Sequence, residues 1–385
     1  MQDFIFSNPT KIIFGQDAEL KIIDDLCSYG VKNVMIVYGL GSIRQSGLYD
    51  RVVRKIIKKG MAFVDFAGAK PNPSLSHVKN GIELAIKSGA DSILAIGGGS
   101  AIDTAKAIGA GVKNPLDIWD FFEGKLSVPD SLPIFTILTI AAAGSEMNGN
   151  CVITKEDEKK KYSFSSSHSY PKVSALNPTL TLSVSAKQSA CGAIDAIAHL
   201  LEGYLTKQNQ LRLHDRLIES TIKTIMQDAE KIVVNPNDYE ARSEIMWSSS
   251  LALNGFLSQG LKDHSFPNHL IEHSISALFD ITHGEGLAII MPAWMRWASQ
   301  TEPQRILRFS KKIFKKKSTE EGIAAFEEWM KKLGVATRLD MVGIKKSDID
   351  AITENVFAQA KIWRRMDKVY TKSVIKLILM NAFNK

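Results

Sequence analysis

Apolar and polar positions change rhythm about halfway along the chain. In the first half, short β-branched runs alternate with stretches whose apolar residues recur at helical spacing. Residues 34–38, 62–66, 92–96 and 134–138 read as strands, and residues 47–58, 75–87 and 101–108 read as helices between and after them. Such alternation predicts a doubly wound, mostly parallel α/β sheet with crossover helices. From about Leu182 the pattern becomes long helices with short connections, at 189–204, 211–232, 239–256 and 321–333. A chain of 385 residues exceeds one ordinary hydrophobic core, so two domains are expected. We place them at residues 1–181 (α/β) and 182–385 (all-α), with the boundary near Asn177-Pro178-Thr179.

The turn Gly97-Gly98-Gly99-Ser100 follows the run at 92–96 and opens the helix at 101–108. Glycines there let backbone approach a ligand closely, and a helix N-terminus offers unpaired N–H groups to a pyrophosphate. The turn is not a six-residue GxGxxG fingerprint, and a purely structural strand-to-helix turn is the alternative reading.

With 45% apolar and 23% charged residues, the composition is that of an ordinary globular protein. The net charge of +7 raises the question of nucleic acid. The lysines are dispersed except at Lys159 to Lys161 and Lys315 to Lys317, and neither run is interleaved with aromatics, so no nucleic-acid partner is expected. An anionic dinucleotide is partner enough. No run is long and uncharged enough for a membrane span. Cys27, Cys151 and Cys191 are too scattered for a disulfide framework, and Met-Gln-Asp-Phe lacks the basic and apolar regions of a signal peptide, so a cytoplasmic location is expected.

Asp195 and His199 lie four apart in the apolar stretch 191–202, so on a helix they share one face. His269 and His273 are again four apart, and His283 follows ten residues later, immediately before a glycine. A lone histidine on an apolar face is ordinarily a satisfied core residue. Two such pairs are harder to explain that way, because a buried carboxylate among imidazoles is very costly unless a cation compensates it. Asp195, His199, His269 and His283 therefore read as one metal site, with ligand types suited to Zn, Fe, Ni or Mn. A metal hydrolase could use such ligands, but HExxH is absent and the glycine turn would have no task. A catalytically silent, metal-stabilised binding protein is the remaining alternative.

These segments form an ordered set: the run Phe6 to Gly15, Lys70-Pro-Asn-Pro73, Gly97 to Lys106, Gly144-Ser-Glu-Met-Asn148 and both histidine segments. Over nearly the whole chain the set resembles the iron-containing (group III) alcohol dehydrogenases, in their butanol dehydrogenase-like branch. The resemblance implies a dehydroquinate synthase-like fold with the metal in the helical domain, facing a cofactor across an interdomain cleft. It implies Fe²⁺, with Zn²⁺ second, on Asp195, His199, His269 and His283, and His273 as the catalytic group beside the nicotinamide. It places Gly97, Gly98, Gly99 and Ser100 on the pyrophosphate with Asp103 nearby, Asn72 and Thr139 along the cofactor, and Lys161 next to it. Asn148 and Phe256 would face the substrate. Ala143 and Asn177 depart from the threonine and aspartate usual at those positions. The loop Gly39, Leu40, Gly41, Ser42 carries no acidic side chain to hold a ribose 2′-hydroxyl or repel a 2′-phosphate, and resembles the loop that admits NADP(H) rather than NAD(H). Leu40 stands where a glycine is often found. The implied activity is hydride transfer between NAD(P)H and a small aliphatic aldehyde or alcohol, with a glycerol-type polyol dehydrogenase as the alternative.

The N-terminal segment from Phe4 to Phe14 holds two apolar β-runs around Ser-Asn-Pro. An exposed strand of this composition needs a partner, so a homodimer joined through it is expected. Packing of the segment on its own domain's sheet is the alternative.

Overall fold

A computed structural model of the chain describes residues 1–209, 211–363 and 366–383. It divides into two compact units, Ser7–Ser183, and Met1–Phe6 together with Val184–Lys385.

The first unit holds eight strands among its described residues: β1 (Lys11–Phe14), β2 (Asn33–Tyr38), β3 (Ala62–Ala67), β4 (Ser92–Gly97), β5 (Ile134–Leu138), β6 (Asn150–Lys155), β7 (Lys160–Ser165) and β8 (Val173–Leu176). Six of them form one sheet in the order β1-β8-β5-β4-β2-β3, with every neighbouring pair parallel. The four runs expected to be strands are β2 to β5. β4 and β5 are buried along their whole length, which is why they read as continuous apolar runs rather than alternating ones. Ile22, Leu26, Val34, Ile36, Leu94, Phe135 and Val173 belong to the core beneath one face. Crossover helices at Leu48–Lys58, Leu75–Ser88 and Gly99–Lys113 match the expected ones. The second of these is capped at its start by Ser74, which accepts from the His77 N–H, and ends at the left-handed Gly89. β6 and β7 form a separate antiparallel hairpin.

The strand order fixes where a ligand would sit. From β2 the chain steps outward to β3, then returns to the other side of β2 as β4, so the winding reverses between β2 and β4. In open α/β sheets, ligands bind outside the carboxyl ends of the strands at that reversal. The turns leaving β2 and β4 are the two glycine-rich segments singled out above.

The second unit is helical. Ala186–Thr206 is buried at every residue from Ser189 to Leu205, so it is buried all round, its polar Asp195, His199 and Glu202 included, and forms the centre of the unit. Arg212–Val234, Pro267–Phe279 and His283–Ala298 each pack against it. The expected helices at 189–204, 211–232, 239–256 and 321–333 correspond to Ala186–Thr206, Arg212–Val234, Tyr239–Ala252 and Thr319–Lys332. Met1–Phe6 has no strand: Gln2 N–H donates to the Gly260 carbonyl at 3.2 Å, and the Phe6 ring meets Phe256 edge-on at 5.7 Å. Of the two apolar β-runs expected near the N-terminus, only Lys11–Phe14 is a strand.

Candidate functional site

In the helical unit, the sequence brings three helices close enough for their polar side chains to meet. A Cβ on Gly284 would lie 2.1 Å from the Cys191 carbonyl oxygen, so only glycine lets the start of His283–Ala298 approach Ala186–Thr206 this closely. A Cβ on Gly286 would lie 2.8 Å from Glu272 Cγ, on Pro267–Phe279. The His-Gly-Glu-Gly segment thus wedges His283 between the other two helices.

Asp195, His199, His269 and His283 converge there. Asp195 Oδ1 lies 3.6 Å from His199 Nδ1, 3.7 Å from His269 Nε2 and 3.6 Å from His283 Nε2. Ligand atoms held tetrahedrally at ~2.0–2.2 Å from one ion stand roughly 3.3–3.6 Å apart, so the distances from Asp195 are near those of a shared divalent cation. Asp195, His199 and His269 form the group whose ligand atoms all lie within 4.8 Å of one another, with His283 in an adjoining group beside Glu272 and His273. Asp195 Oδ1, His199 Nδ1 and His269 Nε2 are moreover buried without a hydrogen-bond partner among the described residues. Orphaned buried polar atoms are rare, and a cation common to all three accounts for them at once. Burial pulls His199 down to about 3, so it is neutral and free to donate its lone pair. Burial would also raise the Asp195 carboxyl, but the facing imidazoles of His199, His283 and His269 hold it well below the usual range. Burial would lower His269, but without an ion its contacts with Asp195 and Glu202 outweigh burial and raise it; an ion at Nε2 would take the place of that second proton.

Two glutamates that had no assigned role complete this arrangement. Glu202 and Glu272 are both 0% exposed. Glu202 Oε1 lies 3.0 Å from His269 Nδ1 and accepts the His269 backbone N–H at 3.0 Å, while its Oε2 accepts from Asn268 Nδ2 at 3.0 Å. Glu272 meets His283 Nδ1 through Oε2 and the Ser276 hydroxyl through Oε1. In the sequence each sits one helical turn after a histidine in an apolar run, a carboxylate with no visible partner, which is the signal that could have marked it.

His273 is buried in the same cluster, with its ring 5.6 Å from that of His283 and 6.2 Å from that of His269. It stacks on Trp363 at 5.5 Å with the planes within 6°. The Ser274 hydroxyl donates to Gln359 Oε1 at 3.4 Å, which turns the Gln359 amide nitrogen toward His273 Nδ1 at 3.3 Å. So oriented, His273 accepts at Nδ1 and carries its proton at Nε2.

In the α/β unit, the carboxyl ends of β2, β4 and β5 lie side by side, because Tyr38 pairs with Ile96 and Gly97 with Leu138. The turns leaving them carry Gly39 to Ser42, Gly97 to Ser100 and Thr139, and the Thr139 N–H donates to the Gly97 carbonyl at 3.0 Å. The helix Gly99–Lys113 starts with Gly98 as its cap, two residues earlier than expected, and places Ser100 in its first turn. Leu40 is 76% exposed. Arg44, in the turn that follows, stacks over Tyr49 at 3.8 Å and donates to Asp65 at 3.0 Å. Asn72 and Lys161 meet each other, Nζ to Oδ1, at 2.9 Å.

Asp103 and Asn148 have local tasks. Asp103 accepts from the Ser145 hydroxyl at 2.6 Å and the Val152 N–H at 3.0 Å, and burial raises its carboxyl. Asn148 donates to the Gly144 carbonyl at 2.8 Å and accepts from the Asn150 N–H at 2.8 Å. Between them, Lys106 Nζ is fully buried and donates to the carbonyls of Ser145, Asn148 and Asn150 at 2.7, 2.9 and 2.8 Å. Burial depresses this ammonium while Asp103 nearby opposes the shift. These groups staple the hairpin β6-β7 and the turn before it onto the helix Gly99–Lys113.

Comparison with known proteins agrees over the same span. The family description "Iron-containing alcohol dehydrogenase" matches residues 9–178, and "Fe-containing alcohol dehydrogenase family, C-terminal" matches residues 189–382. The chain is 37% identical over 389 residues to the probable NADH-dependent butanol dehydrogenase 1 of Bacillus subtilis, covering 98% of this chain and 100% of that one. It is 30% identical over 365 residues to the NADPH-dependent aldehyde reductase YqhD of Escherichia coli, covering 92% and 93%. The crystal structure of NADH-dependent butanol dehydrogenase A from Thermotoga maritima superposes with a TM-score of 0.96 at 41% identity, covering 100% of this chain and 99% of that one.

Proposed function

The chain belongs to the iron-containing alcohol dehydrogenase family, and we propose that it reduces short aliphatic aldehydes, butanal among them, with NADPH as the preferred reductant. It is an NAD(P)-dependent alcohol dehydrogenase and aldehyde reductase. The observation that carries the reading is the compact group Asp195, His199 and His269, whose facing atoms have no hydrogen-bond partner among the described residues, with His283 Nε2 3.6 Å from Asp195.

Those four residues hold a divalent ion in this reading, Fe²⁺ first and Zn²⁺ second. When bound, the ion supplies Lewis-acid polarisation of an aldehyde oxygen, and a bound nicotinamide supplies the hydride. The chain's own residues do the rest. His273 presents a proton at Nε2, held in that tautomer by Gln359 and in that plane by Trp363, and delivers it to the product oxygen directly or by a relay. Burial of Asp195, His199, His269 and His273 keeps bulk water from competing for those positions.

The glycine turns at the winding reversal support a dinucleotide site made of Gly39, Leu40, Gly41, Ser42, Asn72, Gly97, Gly98, Gly99, Ser100, Asp103, Thr139 and Lys161. Asp103 contributes by holding the first turns of its helix rather than through a free carboxylate. The NADPH preference is supported by the loop 39–42, which has no acidic side chain and is followed by the Arg44 guanidinium. A cytoplasmic setting fits three cysteines that are all free thiols. No helix among the described residues is long and apolar enough to cross a membrane. A homodimer is supported by the edge position of β1 and by the exposure of Phe4, Ile5 and Phe14.

Protein loaded with Fe²⁺ or Zn²⁺ and assayed with a panel of aldehydes, using NADPH and NADH in turn, tests the reading. We expect turnover of butanal with the larger kcat/KM for NADPH. An NADH preference of about tenfold overturns the cofactor half, and no turnover of any aldehyde overturns the substrate half.

A further inference from the structure

The buried glutamates Glu202 and Glu272 lie outside the four facing side chains, yet each touches one of them. A neutral imidazole carries its proton on either ring nitrogen, and only the unprotonated nitrogen can bind an ion. His269 and His283 both turn Nε2 toward Asp195, at 3.7 and 3.6 Å. Both turn Nδ1 toward a carboxylate that is 0% exposed: Glu202 at 3.0 Å for His269, and Glu272 for His283. A carboxylate accepting from Nδ1–H selects the tautomer whose Nε2 is free.

The placement follows an order. The helix Ala186–Thr206 provides Asp195 and His199 and, one turn beyond His199, the glutamate that meets His269 on the next helix. Pro267–Phe279 provides His269 and, again one turn on, the glutamate that meets His283 on the third. Each helix therefore holds the imidazole of the one after it. Each carboxylate has a further partner besides its imidazole, Glu202 in the His269 N–H and Asn268 and Glu272 in the Ser276 hydroxyl.

We propose that Glu202 and Glu272 are positioning residues that set the affinity of the site for its metal by fixing His269 and His283 with Nε2 free. The proposal rests on the metal reading above. Groups that orient ligating histidines typically contribute about 10–100-fold in metal affinity.

The test uses the full chain with Zn²⁺ and Co²⁺ as probes. E202Q and E272Q keep side-chain shape and an acceptor oxygen but lose the charge, so both should fold. We expect each to weaken Zn²⁺ binding about 10–100-fold in competition with a chelator. The visible spectrum of the Co²⁺-loaded protein should shift, while the metal-free melting temperature and nucleotide titration stay near those of the parent. S276A separates orientation from simple bracing of the helices, since it removes a contact of the Glu272 carboxylate without touching an imidazole. Its Zn²⁺ affinity should stay close to that of the parent. Parent-like affinity in both glutamine variants, or a loss in S276A as large as in E272Q, overturns the proposal. A parent protein that takes up neither ion fails differently, because then the metal reading itself falls and the positioning roles fall with it.

Discussion

Asn177, where the resemblance implied an aspartate, is firmly specified by its neighbours. Its amide donates to Glu19 Oε2 at 2.8 Å, and its oxygen accepts from the Thr179 N–H at 3.1 Å and the Thr179 hydroxyl at 2.8 Å. An aspartate would keep both threonine bonds but face a carboxylate that is only 2% exposed. Arg51, 3.2 Å away, offers Glu19 a single partly exposed cation. We expect Asn177→Asp to lower the unfolding free energy by about 1–3 kcal/mol, read by urea denaturation, through the lost donor and the new repulsion. An unchanged midpoint and slope count against this account. The same scale explains what a sequence reader can and cannot find. Asp195, His199 and His269 stand out in the sequence as candidates because i,i+4 spacing puts polar groups on one face of an apolar helix, and His283 because it stands beside a glycine. Glu202 and Glu272 looked like their neighbours: in a single sequence, a buried carboxylate proposed to orient a histidine leaves the same trace as one proposed to bind an ion. Gln359 and Trp363 left none, since they reach His273 from 86 and 90 positions further along the chain.

Elements were legible in proportion to their length and burial. The fully buried β4 and β5 and the long helix Ala186–Thr206 announce themselves by continuous apolar runs. β8 is four residues long, and Ala18–Ser28 starts from the left-handed Asp17 with no side-chain cap, so neither carries a start signal. Two expectations belong to this scale. Gly284→Ala places a Cβ 2.1 Å from the Cys191 carbonyl, and backbone cannot yield as a flexible side chain would. The helix His283–Ala298 must then move away from Ala186–Thr206, carrying His283 out of reach of Asp195. Loss of about 1–3 kcal/mol in unfolding free energy should accompany a fall in Zn²⁺ content measured by elemental analysis. Full metal content in a folded variant would show that the close approach does not position the ligand. In the loop leaving β2, Leu40→Asp adds a carboxylate at a 76% exposed position without disturbing packing. It should lower kcat/KM for NADPH through repulsion of the 2′-phosphate and change NADH much less. Equal losses for both cofactors would place the 2′-phosphate elsewhere.

At the scale of the whole molecule, the succession of an α/β part and a helical part was legible from the change in rhythm along the chain. What the pattern did not convey is that Met1–Phe6 joins the helical unit, because a contact such as Phe6 on Phe256 spans 250 positions and has no periodicity to betray it. That placement sharpens the question of assembly. Among the described residues β1 pairs with β8 and stands at one edge of the six-stranded sheet, and Phe14 at its end is 43% exposed. Ile5, just upstream, is 95% exposed. An open edge beside exposed apolar side chains is a liability that a second copy would remove by pairing β1 with β1 across a two-fold axis. Sedimentation at micromolar concentration should therefore show a dimer for the intact chain and a monomer when residues 1–15 are removed. Far-ultraviolet circular dichroism of the truncated chain establishes that it is folded, since only then does a monomer speak to the interface. A monomeric intact chain rejects the dimer, and a folded truncation that still dimerises moves the interface away from this edge.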